Sequence, residues 1–138
     1  YFSQYADTLL PLLNDNNPLL VDLTVGLILQ LKAQLGIDTC VLRASELNGN
    51  GNKADLLASI CKKIGATSYV SPPGSKVYLD ESDAFKKIGV AVQFFDFKHP
   101  EYSQLFGEFL PNMSIVDMLF NCGERASTMI KGASEVVK

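Results

Sequence analysis

Between residues 39 and 71 the chain reads strand, helix, strand, and that order limits the folds open to it. Residues 39–43 (TCVLR) form a short β-branched run. Residues 52–64 (NKADLLASICKKI) set Leu56, Leu57, Ile60, Cys61 and Ile64 on one helical face. Gly65 ends that helix, and residues 67–71 (TSYVS) return as a strand. Two strands joined by a crossover helix lie parallel in one sheet. A third strand is expected over 90–97 (VAVQFFDF), after a short helix over 81–87.

Helices flank this core. Phe2, Tyr5, Leu9 and Leu13 have helical spacing over 1–13, with Pro11 expected to end or kink the helix. After the polar break NDNN, Asn17 can cap a second helix, and Pro18 suits its first turn. Over 18–35 leucine, isoleucine and valine cover nearly the whole circumference, so the helix should be buried on several sides. Asp22, Gln30, Lys32 and Gln34 interrupt it, so it does not read as a membrane span. Helices over 113–121 and 124–137 are expected at the other end. The expected architecture is three-layer α/β, Rossmann-like, with a small, mainly parallel sheet containing a βαβ unit. Two helices precede the sheet and one or two follow it.

The chain is the size of one domain at 138 residues, and 47% hydrophobic composition supports a packed core. A net charge of −3 gives no basic footprint for nucleic acid. Cys40, Cys61 and Cys122 include no C-x-x-C pair and, with one histidine, match no zinc spacing; no metal site is expected. They read as buried free thiols of a reducing compartment. The chain opens on Tyr1 rather than methionine and runs straight into a helical pattern. A piece of a longer protein is the expectation, with a preceding segment or a second copy covering the helix at 18–35.

Candidate chemistry sits in loops. Gly49-Asn50-Gly51-Asn52-Lys53-Ala54 matches G-x-G-x-x-A at a helix start, where backbone N–H groups and Lys53 could hold a phosphate. Residues 44–48 separate it from the strand, unlike the dinucleotide fingerprint, and a plain connection accounts for it as well. Ser71, Gly74 and Lys76 follow the second strand, with Tyr78 and Asp80 close behind. In open α/β sheets ligands bind at strand carboxyl ends, so these residues could face a substrate; a rigid Pro-Pro-Gly turn explains them equally. His99, after the third strand, has a titration range suited to proton transfer, although a lone loop histidine is more often structural. A Cys122–His99 thiol dyad has nothing in the spacing to support it. Ser114 and Asp117 form S-x-x-D before an apolar run, which reads as a capping box.

One longer pattern connects these residues. Thr67-x-Tyr69-x-Ser71, Gly74, Tyr78-Leu79-Asp80, Phe85 and Gly89 precede His99-Pro100-x-Tyr102-x-Gln104. Gly107-Glu108-Phe109 and Ser114-x-x-Asp117-x-Leu119-Phe120-Asn121-x-Gly123 complete it. It resembles the C-terminal part of the WbqC-like family, whose members accompany genes for O-antigen and other surface-polysaccharide synthesis. The resemblance implies a cytoplasmic role in making a modified, often amino-bearing, sugar precursor. One expectation is an enzyme of nucleotide-dependent acyl or aminoacyl transfer, with a sugar, nucleotide or nucleotide-sugar ligand. His99 and Asp80 would then be its proton carriers, with Ser71, Gly74, Lys76, Tyr78 and Lys53 binding substrate. The alternative is a non-catalytic binding module of a polysaccharide-synthesis complex.

Overall fold

A computed structural model describes residues 1–15 and 19–137. Asn17 and Pro18, the expected cap and first turn of the second helix, lie outside the described residues. The α/β class holds: among the described residues, seven α-helices accompany a small sheet whose first two strands are parallel. The chain divides into two compact units, one of residues 1–40 and 99–133 and the other of 41–98 and 134–138.

The first unit is helical. α1 (Phe2–Asn14) buries Tyr5, Ala6 and Leu9; Tyr5 and Leu9 turn inward as their spacing predicts, while Phe2 and Leu13, expected on the same stripe, are exposed. Pro11 lies inside it and does not end it; the helix runs on to Asn14. α2 (Leu20–Gln34) has no fully buried residue. Leu20 is 75% exposed and Ile28 53% exposed, so the expected burial on several sides is absent among the described residues. α6 (Ile115–Cys122) and α7 (Arg125–Gly132) complete the unit. Its core joins Tyr5, Leu35, Tyr102, Met118, Leu119 and Ala126. Ser127 Oγ donates to the Leu35 carbonyl at 2.6 Å, tying α7 to the end of α2.

The second unit carries the sheet. α3 (Lys53–Lys63) packs Ala54, Ala58 and Cys61 into a core with Leu79, Phe85 and Val90. β1 (Ser68–Ser71) pairs in parallel with β2 (Ala91–Phe97), Ser68 opposite Ala91 and Ser71 opposite Phe94. The crossover between them runs through α4 (Lys76–Asp80) and α5 (Ala84–Ile88). The βαβ unit therefore exists, one element later than expected. Residues 39–43 form no strand; Leu42 is 54% exposed, and no described strand pairs with them. β-branched residues favour a strand only where a neighbouring strand and a buried face receive them. Cys40, expected to be buried in that strand, is exposed, while Cys61 and Cys122 are buried.

β3 (Ser134–Val137) replaces the tail of the helix expected over 124–137 and pairs antiparallel with β2, Phe94 opposite Val137. Gly132 closes α7, and the Val136-Val137 pair suits a ladder better than a helical turn.

Candidate functional site

The residues expected at the carboxyl end of β1 fold into a turn that uses its own hydroxyls. Ser71 is 1% exposed, and its Oγ lies 2.5 Å from Ser75 Oγ. Ser75 donates its hydroxyl hydrogen to the Pro72 carbonyl at 2.6 Å, so Ser71 is the donor between the two serines. Gly74 lies within the 3₁₀ turn Pro73–Ser75 and is exposed. Lys76 is exposed, with Nζ 5.8 Å from the Phe94 ring centroid, in reach of a cation–π contact. Tyr78 is half-buried against the second unit's core.

Asp80 is exposed and lines a cavity of about 270 Å³ with Ser82, Lys86, Phe85 and Val92. Ala91, the first residue of β2, also lines it, so this cavity opens at the strand's amino end.

The glycine loop before α3 has structural demands of its own. A Cβ on Gly49 would sit 2.7 Å from Leu56 Cδ1 and 2.8 Å from Ile60 Cγ1, so a larger residue there would have to displace these side chains of the helix. Asn50 N–H donates to Ser59 Oγ at 2.8 Å, and Lys63 Nζ donates to the Asn48 carbonyl. Asn52 takes the N-cap position of α3 with no side-chain cap bond. Lys53 is exposed at the first turn, with φ at 49°.

In the first unit, the residues of the His99-to-Gly123 run converge on one carboxylate. Asp117 Oδ2 accepts from Tyr102 Oη at 2.8 Å and from Gln104 Nε2 at 3.1 Å. Its Oδ1 accepts from Asn121 Nδ2 at 3.1 Å, and the same amide donates to the Asp117 carbonyl at 2.9 Å. Ser114 caps α6 by accepting from Val116 N–H at 3.2 Å, as expected. The other half of the expected capping box is spent differently, because Asp117 takes side-chain donors instead.

Gln104 also holds a loop. Its Oε1 accepts from Leu110 N–H at 2.9 Å and its Nε2 donates to the Leu110 carbonyl at 3.1 Å. This pair clasps residues 105–109 and fixes which way the amide points. At the tip Leu105 is 80% and Phe106 85% exposed, and Gly107 supplies a left-handed φ of 68°. Together with Gln104, Asp117 and Asn121, the loop borders a cleft of about 260 Å³.

His99 flanks this cluster. Its ring stacks on Tyr102 at 6.2 Å and tilts against Phe109 at 5.7 Å, with Nδ1 3.1 Å from the Pro100 carbonyl. Burial, followed by the hydrogen bond to Asp117, pushes the Tyr102 phenol above its ordinary value. Burial likewise raises the Cys122 and Cys61 thiols, which disfavours thiolate chemistry at either. The described residues contain no cluster of metal-ligating side chains.

His99 thus belongs to the first unit, and Lys53, Ser71, Gly74, Lys76, Tyr78 and Asp80 to the second. From sequence, none of Tyr102, Gln104 and Asn121 is placed in a site and Asp117 is a cap; the signal that points to them is that all four stand within the His99-to-Gly123 run of the family pattern.

A mixed α/β chain with an Asp117-centred polar cluster under an apolar lip is the class that fold and site define. The chain belongs to the WbqC-like protein family, which it matches over residues 1–129. A relative in Mycobacterium tuberculosis (strain ATCC 25618 / H37Rv), named "Uncharacterized protein Rv1507c", is 33% identical over 133 residues. The alignment covers 95% of this chain but 57% of that protein, so the chain spans a little over half of its relative's length. No solved structure matches.

Proposed function

We propose that the chain is the sugar-handling part of an enzyme of bacterial surface-polysaccharide biosynthesis, one that transfers an acyl or aminoacyl group to a sugar precursor. The Asp117 cleft carries this reading. It sets a carboxylate and two side-chain amides at one end of a small apolar-walled space, and a few fixed polar groups among apolar walls are how small-molecule sites orient a ligand. Hydroxyl-rich rings donate to such acceptors, and their C–H faces pack on exposed aromatic ring faces such as that of Phe106.

His99, beside the cluster, is the proton carrier in this reading. In the second unit, taken by itself, the exposed Lys53 and Lys76 ammoniums are the groups chemically suited to a phosphate. The test is a thermal-shift panel of ATP, CTP, UDP- and dTDP-sugars, acetyl-CoA and free amino acids, with and without Mg²⁺. A ligand at about 100 times its Kd adds roughly 2.7 kcal/mol of stability. A nucleotide-sugar response that disappears in Asp117→Ala supports the reading. A response to no sugar-bearing compound from a folded chain refutes it.

A second reading rests on α2. Its exposed Leu20, Val21, Ile28 and Leu29, next to an apolar groove of about 370 Å³ floored by Leu9, Leu27, Leu31 and Phe120, suit an assembly module of a biosynthetic complex. Its occupant would be a further segment of the protein or a second copy. Light scattering after size exclusion decides: a monomer with low binding of a hydrophobic dye counts against it.

A further inference from the structure

The charge at the Asp117 cleft narrows what the cleft can hold. The hydrogen-bond partners of Asp117 are the neutral groups of Tyr102, Gln104 and Asn121. None of them offsets its negative charge. Among the residues bordering the cleft, Asp117 is the one ionisable side chain, and the rest are amides, Leu105, Phe106, Leu110 and Met113. A carboxylate offers about four acceptor positions, and the described residues supply three donors, two on Oδ2 and one on Oδ1, which leaves Oδ1 able to accept from a ligand donor. A phosphate there would meet a like charge with no cation among the described residues bordering the cleft. An ammonium would gain a charge-assisted hydrogen bond, about twice as strong as a neutral one. The Phe106 ring, 85% exposed at the lip, adds a face that attracts a cation. The volume of about 260 Å³ suits a single ring rather than a whole nucleotide sugar.

We infer that the Asp117 cleft binds the protonated primary amine of a compact, ring-sized ligand and excludes phosphate, so that any phosphate on the same ligand is held outside this cleft. This inference deepens the sugar-handling reading, and one binding series separates the two.

D-glucosamine, N-acetyl-D-glucosamine, glucose 6-phosphate and cyclohexylamine are titrated into the whole chain by calorimetry. The series is run at about pH 6, below the usual amine range. Glucosamine should bind at least about tenfold more tightly than its N-acetyl derivative, the scale expected when a charge-assisted bond replaces a neutral one. That preference should vanish in Asp117→Asn and weaken in Phe106→Ala. Equal binding of the two sugars, or tightest binding by glucose 6-phosphate, overturns the amine inference and leaves the sugar reading standing. Asp117-dependent binding of cyclohexylamine with no sugar binding supports the amine inference and removes the sugar reading. No binding by any compound overturns both. Should Asp117→Asn fail to fold, the ligand ranking on the unaltered chain and the Phe106→Ala variant, altered at an exposed side chain, decide the matter.

Discussion

Replacing Asp117 by asparagine keeps the shape of the side chain and reverses the chemistry of one of its two oxygens. If the new amide keeps its oxygen toward Tyr102 and Gln104, its NH₂ faces the Asn121 Nδ2 donor, now 3.1 Å away with nothing to accept from it. Asn121 could turn its own amide over, but it would then lose its 2.9 Å bond to the Asp117 carbonyl. If asparagine instead turns its NH₂ toward Tyr102 and Gln104, two donors lose their acceptor. At least one hydrogen bond to a charged group is lost either way, a change of about 1.5–3 kcal/mol. Asp117 is half-buried and water can replace part of that, so about 2 kcal/mol is expected. For a chain of this size that lowers Tm by roughly 8 °C. Urea unfolding of Asp117→Asn, Ser114→Ala and the unaltered chain measures it. A carboxylate acting only as the far half of a capping box would make Asp117→Asn nearly silent. A loss below about 0.5 kcal/mol, the range of ordinary surface substitutions, would refute the hub reasoning.

Other perturbations have equally definite outcomes. Leu119 is 1% exposed in the first unit's core, so Leu119→Ala should cost about 3–5 kcal/mol in urea unfolding. Gly123 has φ at 60°, and Gly123→Ala should lose about 1–2 kcal/mol from backbone strain, measured in the same way. A thiol reagent should label Cys40 rapidly on the native chain and reach Cys61 and Cys122 only after unfolding; fast labelling of more than one thiol would contradict their burial. Tyr102 is raised above 10.0, so the fold favours its neutral form. Its contribution to stability is present below that value and is lost as pH climbs through the folded-state value. Alkaline unfolding should be less steep in Tyr102→Phe.

Local periodicity was legible wherever the partner was local too. The Ser114 cap and the inward turn of Tyr5, Leu9 and Cys61 follow from residues a few positions apart, whereas Phe2, Leu13 and Ile64, read on the same faces, are exposed. α3 fully buries Ala54 and Ala58, while Leu56, Leu57 and Ile60 are half-buried. Residues 39–43 and 134–137 went the other way because strand formation depends on a distant neighbour. The first has no described partner, and the second is recruited by β2, whose paired residues lie about forty positions earlier. Pro11 stayed inside α1 because packing of Tyr5, Ala6 and Leu9 can hold a helix past one missing donor. The Asp117 site was half legible. Its members stood within one stretch, but only the fold shows that Tyr102 and Gln104 reach the carboxylate across more than ten positions. The Ser71 hydroxyl looked free at a strand end; the structure turns it inward onto Ser75.

The Gln104 and Asn121 side-chain NH₂ groups both donate to Asp117 beside the cleft, and both give resolvable amide signals in a ¹⁵N correlation spectrum. Titrating a UDP-amino sugar into the labelled chain therefore tests the central claim most directly. A saturable shift of these two NH₂ pairs, together with the backbone signals of Leu105 and Phe106, is the predicted result. Saturable shifts confined to other residues, or none at millimolar ligand, would contradict the Asp117 cleft as the sugar site.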